Sequence, residues 1–271
     1  MDKNLDFSGL PEYYSGEKKE KHGGKTMVTR NWQEEYDGRV SWIRELVKTS
    51  GVRGLVFGNS GGKDSALVGI LCKAACADTV GLIMPCASKR NYGADAADAR
   101  ALADRFGIET RTVDLTQARE AMIAAAAGAA ELNDMALNNL APRLRMTALY
   151  AVAAAENRLV AGTGNRSEIY MGYFTKWGDG ASDFDPIADL TASEVFEFLE
   201  YLGAPRRIID KAPSAGLYDG QTDEREMGVS YAAIDRWILS GEGEEDELAV
   251  IRRFHGRSEH KRKPISTYRE D

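Results

Sequence analysis

Residues 58–65 read Gly58-Asn59-Ser60-Gly61-Gly62-Lys63-Asp64-Ser65. Glycines let a backbone turn tightly and come close to a ligand, and Ser60 and Ser65 add hydroxyl donors. The apolar run Gly54-Leu55-Val56-Phe57 precedes this stretch and an apolar helical pattern, Ala66 to Ala77, follows it. The loop therefore joins a strand to a helix. Open N–H groups at a helix start, together with the helix dipole, favour an anion. Asp64 would repel a phosphate unless a divalent ion lay between them, which points to Mg²⁺. The stretch is not a Walker A loop, because Phe57 stands where that motif needs its first glycine and Asp64 follows Lys63. Nor does it contain G-x-G-x-x-G. A plain glycine-rich turn would explain the glycines, but not Ser-Gly-Gly-x-Asp-Ser as a unit.

The elements around the loop have to hold it. Trp32, Tyr36, Val40, Ile43 and Val47 recur at spacings of three and four, which predicts a helix over 32–48 with one buried face. Beyond the loop come a strand over 79–84, a helix over 93–106 and a strand over 110–113. The order β-α-β-α-β with short links predicts a parallel, doubly wound sheet flanked by helices. Helices are expected over 118–130 and 138–156, then a fourth buried strand at 158–163. Residues 163–190 have no clear period, and a loop that long in a compact domain is usually functional or mobile. Further helices are expected at 191–202, 205–210, 230–239 and 246–255, a helical C-terminal part. Residues 1–26 are polar and without period, and read as a mobile tail or an added extension, with Met27 a candidate natural start. Residues 27–271 then form one domain.

Composition narrows the class. The chain has 271 residues, a net charge of -7 and 28% charged residues, so the molecule as a whole is not built to attract nucleic acid or anionic membrane. No apolar stretch approaches the roughly 18 residues of a membrane span, and the N-terminus has no signal-peptide core. Cys72, Cys76 and Cys86 form no C-x-x-C pair and read as reduced core thiols of a cytoplasmic protein.

Other residues could carry chemistry, each with a blander reading. Glu168 follows a strand end and, with Asp64, offers two carboxylates to Mg²⁺; alone it would be a surface acid. Thr163 could meet a ligand or cap a turn. Arg143 and Arg145 lie two apart, so they do not share a helix face. One can face a ligand and the other solvent or an acid. Lys176 and Asp183 fall in the unperiodic stretch and could be solvated charges. Residues 252–263 carry Arg252, Arg253, His255, Arg257, His260, Lys261, Arg262 and Lys263 against Glu259 alone. That cluster suits phosphates or is a solvated helix end; few aromatics interleave to stack bases.

Ser-Gly-Gly-x-Asp-Ser resembles the pyrophosphate loop of the N-type ATP pyrophosphatases, whose substrates attack the α-phosphorus of ATP. The rest of the chain selects among that superfamily's enzymes. Ala141-Pro142-Arg143-Leu144-Arg145-Met146, Leu159-Val160-Ala161-Gly162-Thr163-Gly164-Asn165-Arg166-Ser167-Glu168, Phe174-Thr175-Lys176-Trp177-Gly178-Asp179-Gly180, Lys211-Ala212-Pro213-Ser214-Ala215-Gly216-Leu217 and Glu259-His260-Lys261-Arg262 occur in order. This series is similar to that of the ammonia-dependent NAD⁺ synthetases over residues 30–265. The resemblance implies an adenine nucleotide alpha-hydrolase-like, Rossmann-like fold. It implies Mg²⁺ on Asp64 and Glu168, with ATP held by Gly58 to Ser65, Met84, Thr163 and Ser214. It assigns Arg143, Lys176, Asp183, His260 and Lys261 to nicotinic acid adenine dinucleotide (deamido-NAD⁺). Asp64, Glu168 and Lys63 are the expected catalytic set. Residues 85–92 are expected to border adenine.

The family usually has a lysine where this chain has Ala192. Lys63, inside the loop, is a candidate to supply that charge. Ser214 replaces a common threonine, and both offer a hydroxyl. The reaction implied is adenylation of the dinucleotide's carboxylate with loss of pyrophosphate, then displacement of AMP by ammonia, giving NAD⁺. No stretch is left for a glutamine-hydrolysing domain, so ammonia is the implied nitrogen source. A homodimer is implied, with the helices 32–47 and 138–156 as candidate contacts. Two other classes share the loop: a tRNA-modifying adenylating enzyme, and a nucleotide-binding regulator without catalysis. The first calls for an RNA-binding extension, the second would tolerate loss of Asp64 or Glu168.

Overall fold

Alternation along Leu55-Val56-Phe57 sends Leu55 and Phe57 to one face of a sheet and Val56 to the other. Both faces are covered. Leu55 and Phe57 belong to an apolar cluster with Leu67, Leu71, Phe198 and Leu199, whereas Val56 packs with Val80, Leu82 and Val160 and against Leu149. A computed structural model describes residues 30–86, 92–211 and 222–268. Strands β1 (Gly54–Gly58), β2 (Thr79–Ile83), β3 (Glu109–Thr112) and β4 (Arg158–Ala161) form one parallel sheet in the order β3-β2-β1-β4. The helices on the Leu55 side include α1 (Trp32–Ser50) and α2 (Lys63–Ala75), and α3 (Ala94–Phe106) packs beside α2. On the Val56 side, α4 (Thr116–Ala127) lies against α5 (Asp134–Glu156), and α5 packs on β1 and β4.

The chain builds outward from β1 through β2 to β3, then returns to place β4 on the other side of β1. Connections leaving β1 and β4 therefore diverge, and a crevice opens at their carboxyl ends, where open α/β sheets bind ligands. Gly58–Ser65 leaves β1 there, and Thr163–Glu168 leaves β4.

The doubly wound parallel sheet expected from the sequence is present. The helix after the glycine-rich loop begins at Lys63, not Ala66, so Lys63 and Asp64 lie in its first turn. The helix expected from Asn138 begins at Asp134, where the Asn133 side chain accepts from Ala136 N at 2.9 Å. It runs through Pro142. Residues 163–190 are not structureless throughout: α6 (Arg166–Met171) lies within them. Its two turns are too short to show a period, but Asn165-x-x-Glu168 is a capping box, a legible start signal.

The C-terminal part comprises α7 (Ala192–Tyr201), α8 (Arg206–Ile209), α9 (Asp223–Met227), α10 (Tyr231–Ser240), α11 (Glu245–Arg257) and α12 (Glu259–Arg262). A separate apolar cluster joins α6 to α10 and α11 through Met171, Ile234 and Ile251. Among the described residues, no helix is long and apolar enough to cross a membrane.

Candidate active site

The crevice is a cavity of about 920 Å³ lined by both connections. On the β1 side, Gly62 caps α2 and offers its first turn no side-chain hydrogen bond. A helix start left uncapped in this way favours an anion. Gly61 has φ +72, and a Cβ there would stand 2.2 Å from the Asp95 carbonyl oxygen. Only glycine meets both conditions. The loop braces itself: Gly62 N donates to Ser60 Oγ at 3.2 Å, and the Ser60 and Ser65 hydroxyls lie 3.0 Å apart. Beneath it the Asn59 amide donates to the Ala99 carbonyl at 3.0 Å.

The β4 side brings the second acid. Asn165 caps α6, its Oδ1 accepting from Glu168 N at 2.9 Å, while its own N donates to Glu168 Oε2 at 3.0 Å. The Asn165 amide nitrogen then donates to Asp64 Oδ1 at 2.9 Å. One residue thus fixes the carboxylates from both connections. Each keeps some contact with the cavity while lying deep in the protein. Burial raises the Asp64 carboxyl above the usual range, against the Asn165 hydrogen bond, which lowers it. Burial and then the charge of Asp64 push Glu168 well above its ordinary value. Two acids that hinder each other's ionisation form a place where a divalent cation is welcome. A pair of carboxylates suits Mg²⁺, which takes one or two from protein and fills its other positions with water and phosphate oxygens. Among the described residues, no group of three or more His, Cys, Asp or Glu could hold a metal.

Asp185 carries the β4 turn. Its Oδ2 accepts from Gly164 N at 2.9 Å and its Oδ1 from Ile187 N at 3.0 Å. Burial outweighs those bonds and lifts its carboxyl to about 7.

The residues singled out from sequence divide into two groups. Gly58 to Ser60, Gly62 to Ser65, Met84, Thr163, Glu168 and Lys261 line the cavity; Gly61 is buried beneath the loop. Lys63 Nζ donates to the backbone carbonyl of Lys211, and burial lowers its pKa, against the opposing charge of Asp64. Ala192, the first residue of α7, lines the same cavity. Arg143, Asp183 and His260 instead lie exposed, and with Lys176 they stand outside the cavity lining. Lys176 Nζ donates to the His260 carbonyl at 2.6 Å and lies 5.5 Å from the centroid of Trp177. Trp177 is 54% exposed and has φ 60, a rare conformation for a bulky residue. Asp183 takes up the backbone of β4, accepting from Val160 N at 2.7 Å, and also accepts from the Tyr150 hydroxyl at 3.2 Å. Of the two arginines on α5, Arg145 lines the cavity and donates to the Met84 carbonyl at 3.1 Å. Among the described residues, Arg143 reaches the Lys176 carbonyl alone, at 3.4 Å. Ser214 and residues 87–91 lie outside the described residues.

Part of the basic run has a structural task. Arg262 donates to the carbonyls of Ile169 and Tyr170 at the end of α6, and His255 Nδ1 lies 2.9 Å from the Tyr170 carbonyl. Lys261 Nζ donates to the Gly172 carbonyl at 2.7 Å. Cations at the negative end of α6 steady the helix that carries Glu168. Sequence reasoning missed Asn165, Asp185 and Lys211 as site residues. Only Asn165 left a signal, its capping box.

The profile of the NAD synthase family matches residues 35–265. The "NH(3)-dependent NAD(+) synthetase" of Carboxydothermus hydrogenoformans is 46% identical over 236 residues, covering 86% of this chain and 96% of that protein. The solved NMN synthetase from Francisella tularensis superposes with a TM-score of 0.84 at 40% identity, over 88% of this chain and 99% of that one. The NH3-dependent NAD synthetase from Campylobacter jejuni, solved with a nitrate ion, superposes with a TM-score of 0.74 at 30% identity, over 89% of this chain and all of that one, 100%.

Proposed function

The chain belongs to the NAD synthase family, and from that premise we propose how its residues perform the reaction. The enzyme is a C–N bond-forming ligase: it uses ATP to amidate deamido-NAD⁺ with ammonia, giving NAD⁺. The observation that carries the residue assignment is the Asn165 bridge, which presents Asp64 and Glu168 together beside the open first turn of α2.

The carboxylate of the pyridine ring is a poor acyl donor, because oxide is a poor leaving group. One of its oxygens attacks the α-phosphorus of ATP, the bond to the bridging oxygen breaks, and pyrophosphate leaves toward the first turn of α2. Lys63, which lines the cavity from the same turn and donates to the Lys211 carbonyl, is the candidate to meet the departing charge. Asp64 and Glu168 would hold Mg²⁺, which when bound supplies positive charge to the phosphate oxygens. Ammonia then attacks the acyl carbon, AMP departs with the carboxylate oxygen that attacked phosphorus, and a proton is released as the amide forms. Positioning and fixed charge suffice, so no side chain need form a covalent bond.

Thr163, Met84 and Ser214 are assigned to ATP, and Arg143, Lys176, Asp183, His260 and Lys261 to the dinucleotide. The exposure of Arg143, Asp183 and His260 outside the cavity favours a homodimer in which a second copy covers them. Free thiols at Cys72, Cys76 and Cys86 fit a cytoplasmic enzyme.

A second substrate reading follows from the superpositions, in which the NMN synthetase aligns more closely than the NAD synthetase, 0.84 against 0.74. Nicotinic acid mononucleotide carries the same carboxylate, so the chemistry would be unchanged. One assay separates the readings: the protein, Mg-ATP and ammonium with either pyridine nucleotide, following AMP, pyrophosphate and the amide. Deamido-NAD⁺ is expected to give the higher kcat/KM. A preference for the mononucleotide would reverse the substrate order, and AMP release that requires tRNA would overturn both.

A further inference from the structure

The floor under the phosphate loop carries negative charge. Asp95 and Asp98 lie one turn apart on α3, with side chains 10% and 9% exposed. The Asp95 backbone also presses against Gly61, the left-handed residue of the loop. Bare carboxylates there would oppose a triphosphate seated on the loop above.

Lys211, just beyond α8, turns back to this spot. Its Nζ lies 2.6 Å from Asp95 Oδ1 and 2.9 Å from Asp98 Oδ2, and donates to the Gly61 carbonyl at 3.1 Å. Arg207, on α8, takes the other oxygen of Asp98. The ammonium is itself only 16% exposed. Two cations thus face two acids, and one cation also holds the loop's backbone. Lys63 donates to the carbonyl of the same Lys211, so side chain and main chain of this residue grip the loop at two points. Bound between two carboxylates, Lys211 has little charge to lend a phosphate directly.

We propose that Lys211 is a positioning residue for ATP, neutralising Asp95 and Asp98 beneath the phosphate loop and fixing the Gly61 carbonyl so that the neighbouring N–H groups face the phosphates. This rests on the reading of the loop as the seat of ATP. The role belongs to geometry and local charge, and so it can be replaced: removing the acids should remove the need for the lysine.

Calorimetric titration with ATP, together with KM for ATP and deamido-NAD⁺, tests it on four proteins: wild type, Lys211→Met, Lys211→Arg, and Lys211→Met with Asp95→Asn and Asp98→Asn. Lys211→Met is expected to weaken ATP binding about tenfold, with KM for deamido-NAD⁺ within about twofold. The triple variant is expected to return to within about threefold of wild type. Lys211→Arg keeps the charge and should stay within about threefold, a comparison that stands even if the methionine variant fails to fold. A folded Lys211→Met with wild-type affinity overturns the proposal, as does a larger loss in Lys211→Arg. A triple variant as weak as Lys211→Met shows that relief of the Asp95 and Asp98 charge is not what the lysine supplies, and overturns it too. Wild-type protein that does not bind ATP at all brings down the parent reading and this one with it.

Discussion

On the floor of the cavity, the residues that would meet ATP come from two adjacent strands and are fastened on every side. Gly61 is locked by its backbone, and Asp64 and Glu168 share Asn165. At the outer rim, Arg143, Asp183 and His260 stand exposed, and among the described residues Arg143 meets one long contact, to the Lys176 carbonyl. The contrast separates two kinds of task. Handling phosphate charge needs donors fixed before the ligand arrives, because their reorganisation would cost the energy they are meant to supply. Recognising a large nucleotide can be done by side chains that settle on contact, at some cost in ordering. On the assignment proposed above, the rigid floor is the chemical half of the site and the exposed rim the selective half.

The largest test of that division is Asp64→Asn or Glu168→Gln. Either should lower kcat on the order of 10³-fold with only a small change in KM for the pyridine nucleotide. A loss confined to KM would erase the contrast. Next is Asn165→Ala, which releases both acids. Activity should fall roughly 10–100-fold, as for other residues that orient metal-binding groups, and urea denaturation should show a loss of about 1 kcal/mol from the missing cap. Stability loss with full activity would mean that the bridge is only structural. Arg143→Ala should raise KM for deamido-NAD⁺ about tenfold and leave KM for ATP unchanged; equal changes in both would merge the two halves.

The smallest expected effect concerns Asp185 under the floor. In the fold its carboxyl titrates at about 7, against about 3.9 in an unfolded chain. The folded state therefore holds this proton to higher pH. The stability it brings is present in full below about pH 4 and lost as pH rises through 7. Asp185→Asn removes that slope. In EDTA-treated protein, the stability of the variant relative to wild type should improve between pH 5 and pH 8. Parallel curves would show that the carboxyl is ionised throughout.

The floor was legible in the sequence because its devices are local. Glycines and hydroxyls in one short run announce a tight strand-to-helix turn, and the alternating apolar strands announce the sheet behind it. What escaped was whatever depends on distant partners. Lys211 looks like any surface lysine until α8 brings it beneath Gly61. Asp185 looks like a loop acid until it meets Gly164 N. The helix start moved from Ala66 to Lys63 because glycine at the cap needs no side-chain signal. Of the two arginines on α5, spacing could say that they diverge but not which one turns inward. The structure points Arg145 into the cavity.

Trp177 gives the rim a property useful at the bench. Its indole stands open to water, whereas Trp32, Trp42 and Trp237 are partly covered by apolar neighbours. Water-exposed indoles emit at longer wavelengths than shielded ones, so the red edge of this protein's emission belongs mainly to one ring beside Lys176. A ligand or second subunit settling over that ring would shift the spectrum toward the blue, and the molecule would report its own occupancy without a dye.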